Sequence, residues 1–285
     1  MSLQHGSTKY AQLNLCIEKC DPTPFEEFNE ATRGTIPHDF TPSSADRLVM
    51  LSEDIPYLLR QEKTMYEEPD ILKRQEIADA LMSDCVRIEE LLSYWSSMVP
   101  PQFQFTSLPL PKSSPQSPYE TLDDVNMYPN SLDIYCDNTM ASTWNTWRVT
   151  RIRILRITLH CLDITNPPHP AMPRPPEYQT SLTMIHRLID EICSTVPFLL
   201  GFHKKRIGDH GAFQCFPHPP GEAKWPDNFA ASGAVGGWLM MQPLSFVAQL
   251  EETPESQRRW VKEYLTTFLR DPKDMGQQIG SPPKT

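Results

Sequence analysis

Four residues close together, His203, His210, Cys215 and His218, carry the side chains in this chain best suited to metal chemistry. Imidazole nitrogen and thiolate sulfur suit zinc, and four such ligands within 16 residues are enough to close a loop around one ion, with Asp209 as an oxygen donor beside them. The gaps hold six, four and two residues, which matches no zinc spacing with a mechanical rationale, and the segment is polar and rich in proline. The histidines are therefore read as loop residues in solvent or at helix ends, and no metal is assigned. Cys16 and Cys20 are spaced for chelation but have no second pair nearby. An enzyme of unrecognised type would be sought first at His203, His210 and Cys215.

Other chemistries lack their local requirements. No Gly-x-Ser-x-Gly supplies the strained turn of a serine nucleophile, and no Gly-x4-Gly-Lys-Ser/Thr cradles a phosphate. Gly233-Ala234-Val235-Gly236-Gly237 lacks dinucleotide spacing and follows no expected strand, so it is read as a close helix contact. Adjacent carboxylates such as Glu26-Glu27, Glu67-Glu68, Glu89-Glu90, Asp123-Asp124 and Glu251-Glu252 do not face a common point on a helix and are read as solvated charge. Lys204-Lys205-Arg206 is a basic triplet too short to be more than a weak import signal. The expectation is a protein that is not an enzyme and carries no cofactor.

The elements that would position any site are helices. One block is expected over 44–66, capped by Ser43 or Ser44, with Leu48, Leu51, Ile55, Leu58 and Leu59 on one face. A second runs over 71–98, where Ile77, Leu81, Cys85, Ile88, Leu92 and Trp95 alternate steps of three and four before Val99-Pro100-Pro101 ends it. A third covers 140–164, with Trp144, Trp147, Ile154, Leu155, Leu159 and Leu162 as apolar mass. Arg148, Arg151, Arg153 and Arg156 are interleaved around its circumference and read as partners of carboxylates on neighbouring helices.

The fourth block, 178–196, steps by four and three through Tyr178, Leu182, Ile185, Ile189, Ile192 and Val196. Pro197 is expected to stop it and Gly201 to reverse the chain, leaving an apolar corner at 196–201. A last helix begins with Thr253 as N-cap and Pro254 in its first turn, presents Trp260, Val261, Tyr264, Leu265, Phe268 and Leu269, and stops at Asp271-Pro272. Two-residue alternation is scarce, and so is glycine at 11 residues, so the expected class is an all-α, multi-helix bundle with long Pro-rich loops.

The 285 residues include 29 prolines, about twice the ordinary ~5%, concentrated in 100–130, 167–176 and 217–226. One helical domain is expected over 41–280 with these segments as inserts, a partly irregular N-terminal extension over 1–40 and a tail over 281–285. A net charge of −10 opposes condensation on a phosphate backbone, so direct nucleic-acid binding is not expected. Residues 228–250 carry no formal charge, but Asn228, Ser232, Gln242, Ser245 and Gln249 would need partners in hydrocarbon and no Lys or Arg closely flanks either end. A buried helix, not a membrane span, is the expectation. Seven scattered cysteines fit a reducing, intracellular compartment, and the first 20 residues lack the apolar core of a secretory signal.

Taken in order, several pieces form a pattern: Trp144-Asn145-x-Trp147-Arg148-x2-Arg151-Ile152, then Ile189-Asp190-x-Ile192-Cys193-x2-Val196-Pro197-Phe198-x-Leu200-Gly201. They continue with Gly236-Gly237-Trp238-Leu239-x2-Gln242-Pro243-Leu244, Arg258-Arg259-Trp260 and Met275-Gly276-Gln277-Gln278. This ordered set resembles the C-terminal regulatory region of fungal-type binuclear zinc-cluster transcription factors, in the form common among regulators of secondary metabolism. Gln242 departs from the aromatic residue frequent there.

The family's DNA-reading element is an N-terminal six-cysteine zinc cluster. Only Cys16 and Cys20 lie in the first 84 residues, so DNA binding is not carried over. Two origins stay open: the regulatory part of a longer factor, or a protein that has lost its DNA-binding module. The resemblance implies a nuclear helical module controlling transcription through contacts with proteins of the transcription machinery or a longer factor, with a small effector in its core as a further implication. The rival reading is a non-transcriptional interaction or metabolite-binding protein, suggested by the 196–201 corner beside Trp144 and Trp238.

Overall fold

A computed structural model of the chain describes residues 42–109, 131–169, 172–199 and 229–270, with scattered positions between 13 and 30. The segment 217–226, most of 100–130 and the tail lie outside the described residues. The fold is all-α. Among the residues described from 42 onward, seven helices follow in order: α1 (Ser44–Leu51), α2 (Ile55–Glu67), α3 (Ile71–Met98), α4 (Asn138–Thr165), α5 (Pro176–Leu199), α6 (Phe229–Gln249) and α7 (Glu255–Arg270). A 3-10 turn (Pro101–Phe103) and two short strands, β1 (Thr106–Pro109) and β2 (Ser131–Ile134), stand between α3 and α4.

The chain divides into two compact units, one of Met1–Val99 with Thr150–Ile185, the other of Pro100–Val149 with His186–Thr285. The crossing at Val99–Pro100 falls at a Pro-rich stretch, whereas the other two fall inside α4 and α5.

In the first unit, Ser43 and Asp46 close a reciprocal capping box at α1: the Ser43 amide donates to Asp46 Oδ2 at 2.9 Å and the Asp46 amide to Ser43 Oγ at 3.2 Å. The helix expected over 44–66 is in fact two, broken at 52–54. Pro56 explains the break. It has no amide to give the carbonyl one turn back, so the chain restarts with proline in the first turn of α2, where that donor is not needed. Asp70 caps α3, accepting from the Leu72 amide at 2.9 Å and the Lys73 amide at 3.3 Å.

The stripe of α3 matches expectation from Leu81 to Trp95. At its start Ala78 is fully buried and Ile77 only half-buried. Both α1 and α2 pack on α3, burying Leu48, Ile55, Leu58 and Met65. At the start of the chain, where a partly irregular extension was expected, Leu13, Cys16 and Ile17 are helical and buried.

In the second unit, β1 and β2 pair antiparallel with Leu108 opposite Leu132, a hairpin in a region expected to be loop. Helix α5 does not stop at Val196. It continues through Pro197 to Leu199. Proline there removes one ladder bond in the last turn, and burial of Val196, Phe198 and Leu199 outweighs that loss.

Helix α6 likewise contains Pro243, which has no amide to donate to Leu239. The Thr253 side chain does not cap α7. Its hydroxyl donates to the Val247 carbonyl at 2.7 Å, and the first intrahelical acceptor of α7 is the Pro254 carbonyl, bonded by the Arg258 amide at 2.8 Å. Among the described residues no helix is long and apolar enough to cross a membrane.

The glycine cluster is a close helix contact, made by Gly236. A Cβ at Gly236 would lie 2.6 Å from the Leu199 carbonyl carbon and collide with its oxygen. Alanine elsewhere in a helix gains about 1 kcal/mol over glycine, but here the clash is with backbone that cannot rotate away. Gly236→Ala is therefore expected to destabilise the protein by about 1–3 kcal/mol, measured by urea unfolding. A stabilised variant would show that α6 does not depend on this contact.

Candidate functional site

Helix α4 carries Trp144, Trp147, Arg148 and Arg151 of the residues singled out by pattern, and from Met140 to Thr165 no position on it is exposed. A helix so enclosed must satisfy its polar side chains from neighbouring residues. Arg148 is the extreme case, with no solvent-accessible side chain at all.

The Arg148 guanidinium lies within hydrogen-bond distance of five side-chain acceptors. Nε reaches Glu191 Oε2 at 3.1 Å and Nη2 reaches Asp133 Oδ2 at 3.2 Å. Nη1 serves Tyr135 Oη at 2.8 Å, Asn145 Oδ1 at 3.1 Å and Thr195 Oγ1 at 3.3 Å. Three segments of the second unit thus converge on one cation: β2 with the residue just after it, the first turns of α4, and the C-terminal half of α5. The Phe105 ring covers the guanidinium with its centroid 4.8 Å from Cζ, adding a cation–π contact.

Further bonds tie the same three segments. Tyr135 Oη and Thr195 Oγ1 are 3.1 Å apart, and Ser131 and Ser194 share a hydrogen bond at 2.8 Å. Around them the rings of Phe105 and Trp144, Trp144 and Trp147, and Tyr135 and Phe198 meet edge to face at 5.1 to 5.5 Å. Trp144 Nε1 donates to the Phe103 carbonyl at 3.0 Å.

The electrostatics follow from burial. Desolvation pushes the Asp133 carboxyl above the usual carboxylate range, against the opposing pull of Arg148. Desolvation also raises the Tyr135 phenol, so it stays protonated. Burial alone would lower the Arg148 pKa, but Tyr135, Glu191 and Asp133 more than offset that and hold the cation charged. Glu191 is shared with Arg187, at 3.0 Å. With its donors committed to the protein, Arg148 serves as an internal tie and not as an anion receptor.

The remaining pattern residues have structural tasks too. Arg151 pairs with Glu89 in the first unit, as the reading of the α4 arginines expected. Asp190 accepts from Gln257 Nε2 at 2.8 Å. Gln257 immediately precedes the Arg258-Arg259-Trp260 piece, and Arg258 Nη2 gathers the Leu250, Glu251 and Thr253 carbonyls at 2.7, 3.0 and 3.0 Å, closing the α6–α7 turn. Val196, Gly236, Gly237 and Pro243 are buried, and Pro197 and Trp260 half-buried.

Trp238 is 75% exposed, so it does not line an apolar corner with the buried Trp144. Gly201 and the candidate metal residues His203, Asp209, His210, Cys215 and His218 lie outside the described residues. Among the described residues no group of three or more His, Cys, Asp or Glu side chains is arranged to hold a metal. The thiols of Cys85, Cys161 and Cys193 are raised by burial, to about 12 for the last two, and are poor nucleophiles.

Sequence reasoning missed Asp133, Tyr135, Glu191 and Thr195, although Arg148 itself was marked. Asp133 and Tyr135 flank a Pro-rich insert with no helical period to flag them. The available signal was an arginine amid the apolar positions of 140–164, which demands carboxylates from elsewhere. A second polar tie, His160 Nδ1 to Glu62 Oε1 at 2.5 Å with the Tyr66 ring 5.8 Å from the imidazole, joins α2 to α4 in the first unit and had no sequence signal either.

Breaking a buried ion pair from one side costs about 3–5 kcal/mol, because the partner charge stays buried and uncompensated. Arg148→Met is expected to lose that much in urea unfolding at about pH 7. Without the cation, folded Asp133 holds its proton to still higher pH, so the folded state binds more protons than the unfolded one. Stability then rises as pH falls, and the deficit of Arg148→Met should be smaller at about pH 5 than at about pH 7. A deficit independent of pH would place the loss in packing alone. In comparisons with family models, with curated proteins and with solved structures, nothing matches this chain.

Proposed function

We propose that this chain is a nuclear transcription-regulatory module, akin to the C-terminal region of binuclear zinc-cluster factors of secondary metabolism, that acts through protein contacts. The observation that carries this reading is the convergence of the resembling pieces. Arg148 from the first piece bonds Glu191 inside the second, Asp190 of the second bonds Gln257 beside the fourth, and Gly236 of the third packs on Leu199 at the end of the second. Four pieces separated by tens of residues thus meet through hydrogen bonds and close packing, as expected of a structural signature inherited as a set, and the fifth, at 275–278, lies outside the described residues.

The net charge of −10 supports a role through proteins in preference to DNA. Protein contact leaves the chemistry of regulation to the partners recruited, so the module's own task is to hold a defined surface.

Tethering the full chain to a heterologous DNA-binding domain should change transcription of a reporter bearing that domain's site by several-fold. The Arg148→Met fusion, destabilised as above, should lose the effect at equal transcript level. In the native host, deletion should alter a restricted set of transcripts. A folded, nuclear fusion that leaves the reporter unchanged, together with an unaltered transcript profile on deletion, overturns the proposal.

A further inference from the structure

The proline-rich stretch that joins α4 to α5 in the first unit has a period of its own. Prolines stand at 167, 170, 173 and 176, one at every third position, which is the repeat of a polyproline II helix. The Met172 amide donates to the His169 carbonyl at 3.1 Å and turns the chain, so the extended part is 172–176. Every position in it is a proline or directly precedes one, which sets φ at the prolines near about −65° and keeps the other residues out of helical geometry. Helix α5 begins at its end, with the Tyr178 amide donating to the Pro175 carbonyl at 3.0 Å.

A three-residue turn gives this stretch three edges, and one of them is anchored. Arg174 pairs with Asp163 on α4, and its guanidinium lies over the Tyr178 ring with Cζ 4.4 Å from the centroid. Arg174 thereby ties one edge to the protein. The edge shared by Pro173 and Pro176 is exposed, and Met172 beside it is 73% exposed. A proline edge held in this way has little conformational freedom left to lose on binding.

From the anchored Arg174 and the exposed edge of Pro173 and Pro176, we propose that 172–176 docks in the aromatic-lined groove of a WW-type domain on a partner protein, with Met172-Pro173 and Pro175-Pro176 filling the groove and the Tyr178 ring at its end. Aromatic grooves of this kind take a preformed polyproline II turn at small entropic cost. The flanks choose the kind of domain. A groove that orients its ligand through a cation finds none to hold, because Arg174 is the one Lys or Arg between Arg156 and Arg187 and its charge is satisfied by Asp163 and the Tyr178 ring. What remains to be read is an aromatic ring two residues past a proline pair, in Pro175-Pro176-Glu177-Tyr178. The inference rests on the reading of the chain as a module acting through protein contacts and names the partner's chemistry. It is tested without transcription, so a bound domain with a silent reporter and unaltered transcripts would sink that reading alone, and a responsive reporter without binding would sink this one.

The probe is a purified WW domain that binds Pro-Pro-x-Tyr ligands, titrated into the full chain by calorimetry, with an SH3 domain as the comparison. The WW domain should bind the wild-type chain about tenfold more tightly than the SH3 domain does. Pro173→Ala and Pro176→Ala should each weaken binding by about tenfold or more. Urea unfolding should stay unchanged, since both positions are exposed and the first turn of α5 accepts alanine. Pro168→Ala, exposed but ahead of the turn at Met172, should leave binding as it is. Prolines that only stiffen the loop would make the three variants alike. A synthetic peptide of residues 170–180 with the same changes at 173 and 176 repeats the measurement independently of folding. Absence of binding by the WW domain, equal binding of the SH3 domain, equal effects at 168, 173 and 176, or affinity insensitive to the Pro173 and Pro176 changes in chain and peptide overturns the proposal.

Discussion

A guanidinium with no access to water must find its hydrogen-bond partners inside the protein, and that demand organises the second unit. Arg148 is met by a carboxylate from β2, a phenol just after it, an amide one turn earlier on α4, and a carboxylate and a hydroxyl from α5. Only the Asn145 amide is supplied by α4 itself, and the other four partners come from segments that helix formation alone does not place. The hairpin must be in register and α5 must extend past Glu191 before the cation is satisfied, so assembly of the three segments is coupled. Apolar packing would tolerate sliding among them. A fan of directed bonds does not.

The aromatic shell belongs to the same logic. Phe105 lies over the guanidinium, Trp144 abuts Phe105, and Tyr135 reaches Phe198. Excluding water strengthens the ionic contacts within and raises the cost of leaving any of them unmade. Arg151, one turn further along α4, repeats the device in the first unit with Glu89 as its partner. One helix therefore supplies a buried or nearly buried cation to each unit.

Much of the helical content was legible because it rests on period and punctuation. The α3 stripe from Leu81 to Trp95 and the cap at Ser43 follow from local rules that tertiary contacts did not override. The misread helix boundaries involve proline. Pro56 broke a helix whose apolar pattern ran on uninterrupted, because a period records which face is buried and not whether every amide has a partner. Pro197 failed to break a helix whose burial outweighed one missing bond, whereas Pro243 sits inside a helix that was expected. The Arg148 site was half legible: Arg148 stood out as a charge in an apolar block, but apart from Asn145 on the same helix its partners lie 13 to 47 positions away in sequence, beyond the reach of any spacing rule.

The enclosure of α4 from Met140 to Thr165 bears on how such a chain is able to diverge. Adding or deleting one residue within it would swing every later side chain by about 100° and point Arg151 and the positions beyond it at the wrong neighbours. Length variation among descendants of this chain is consequently channelled into the proline-bearing stretches on either side, while the central rod is free to change only by substitution that keeps volume and charge in place.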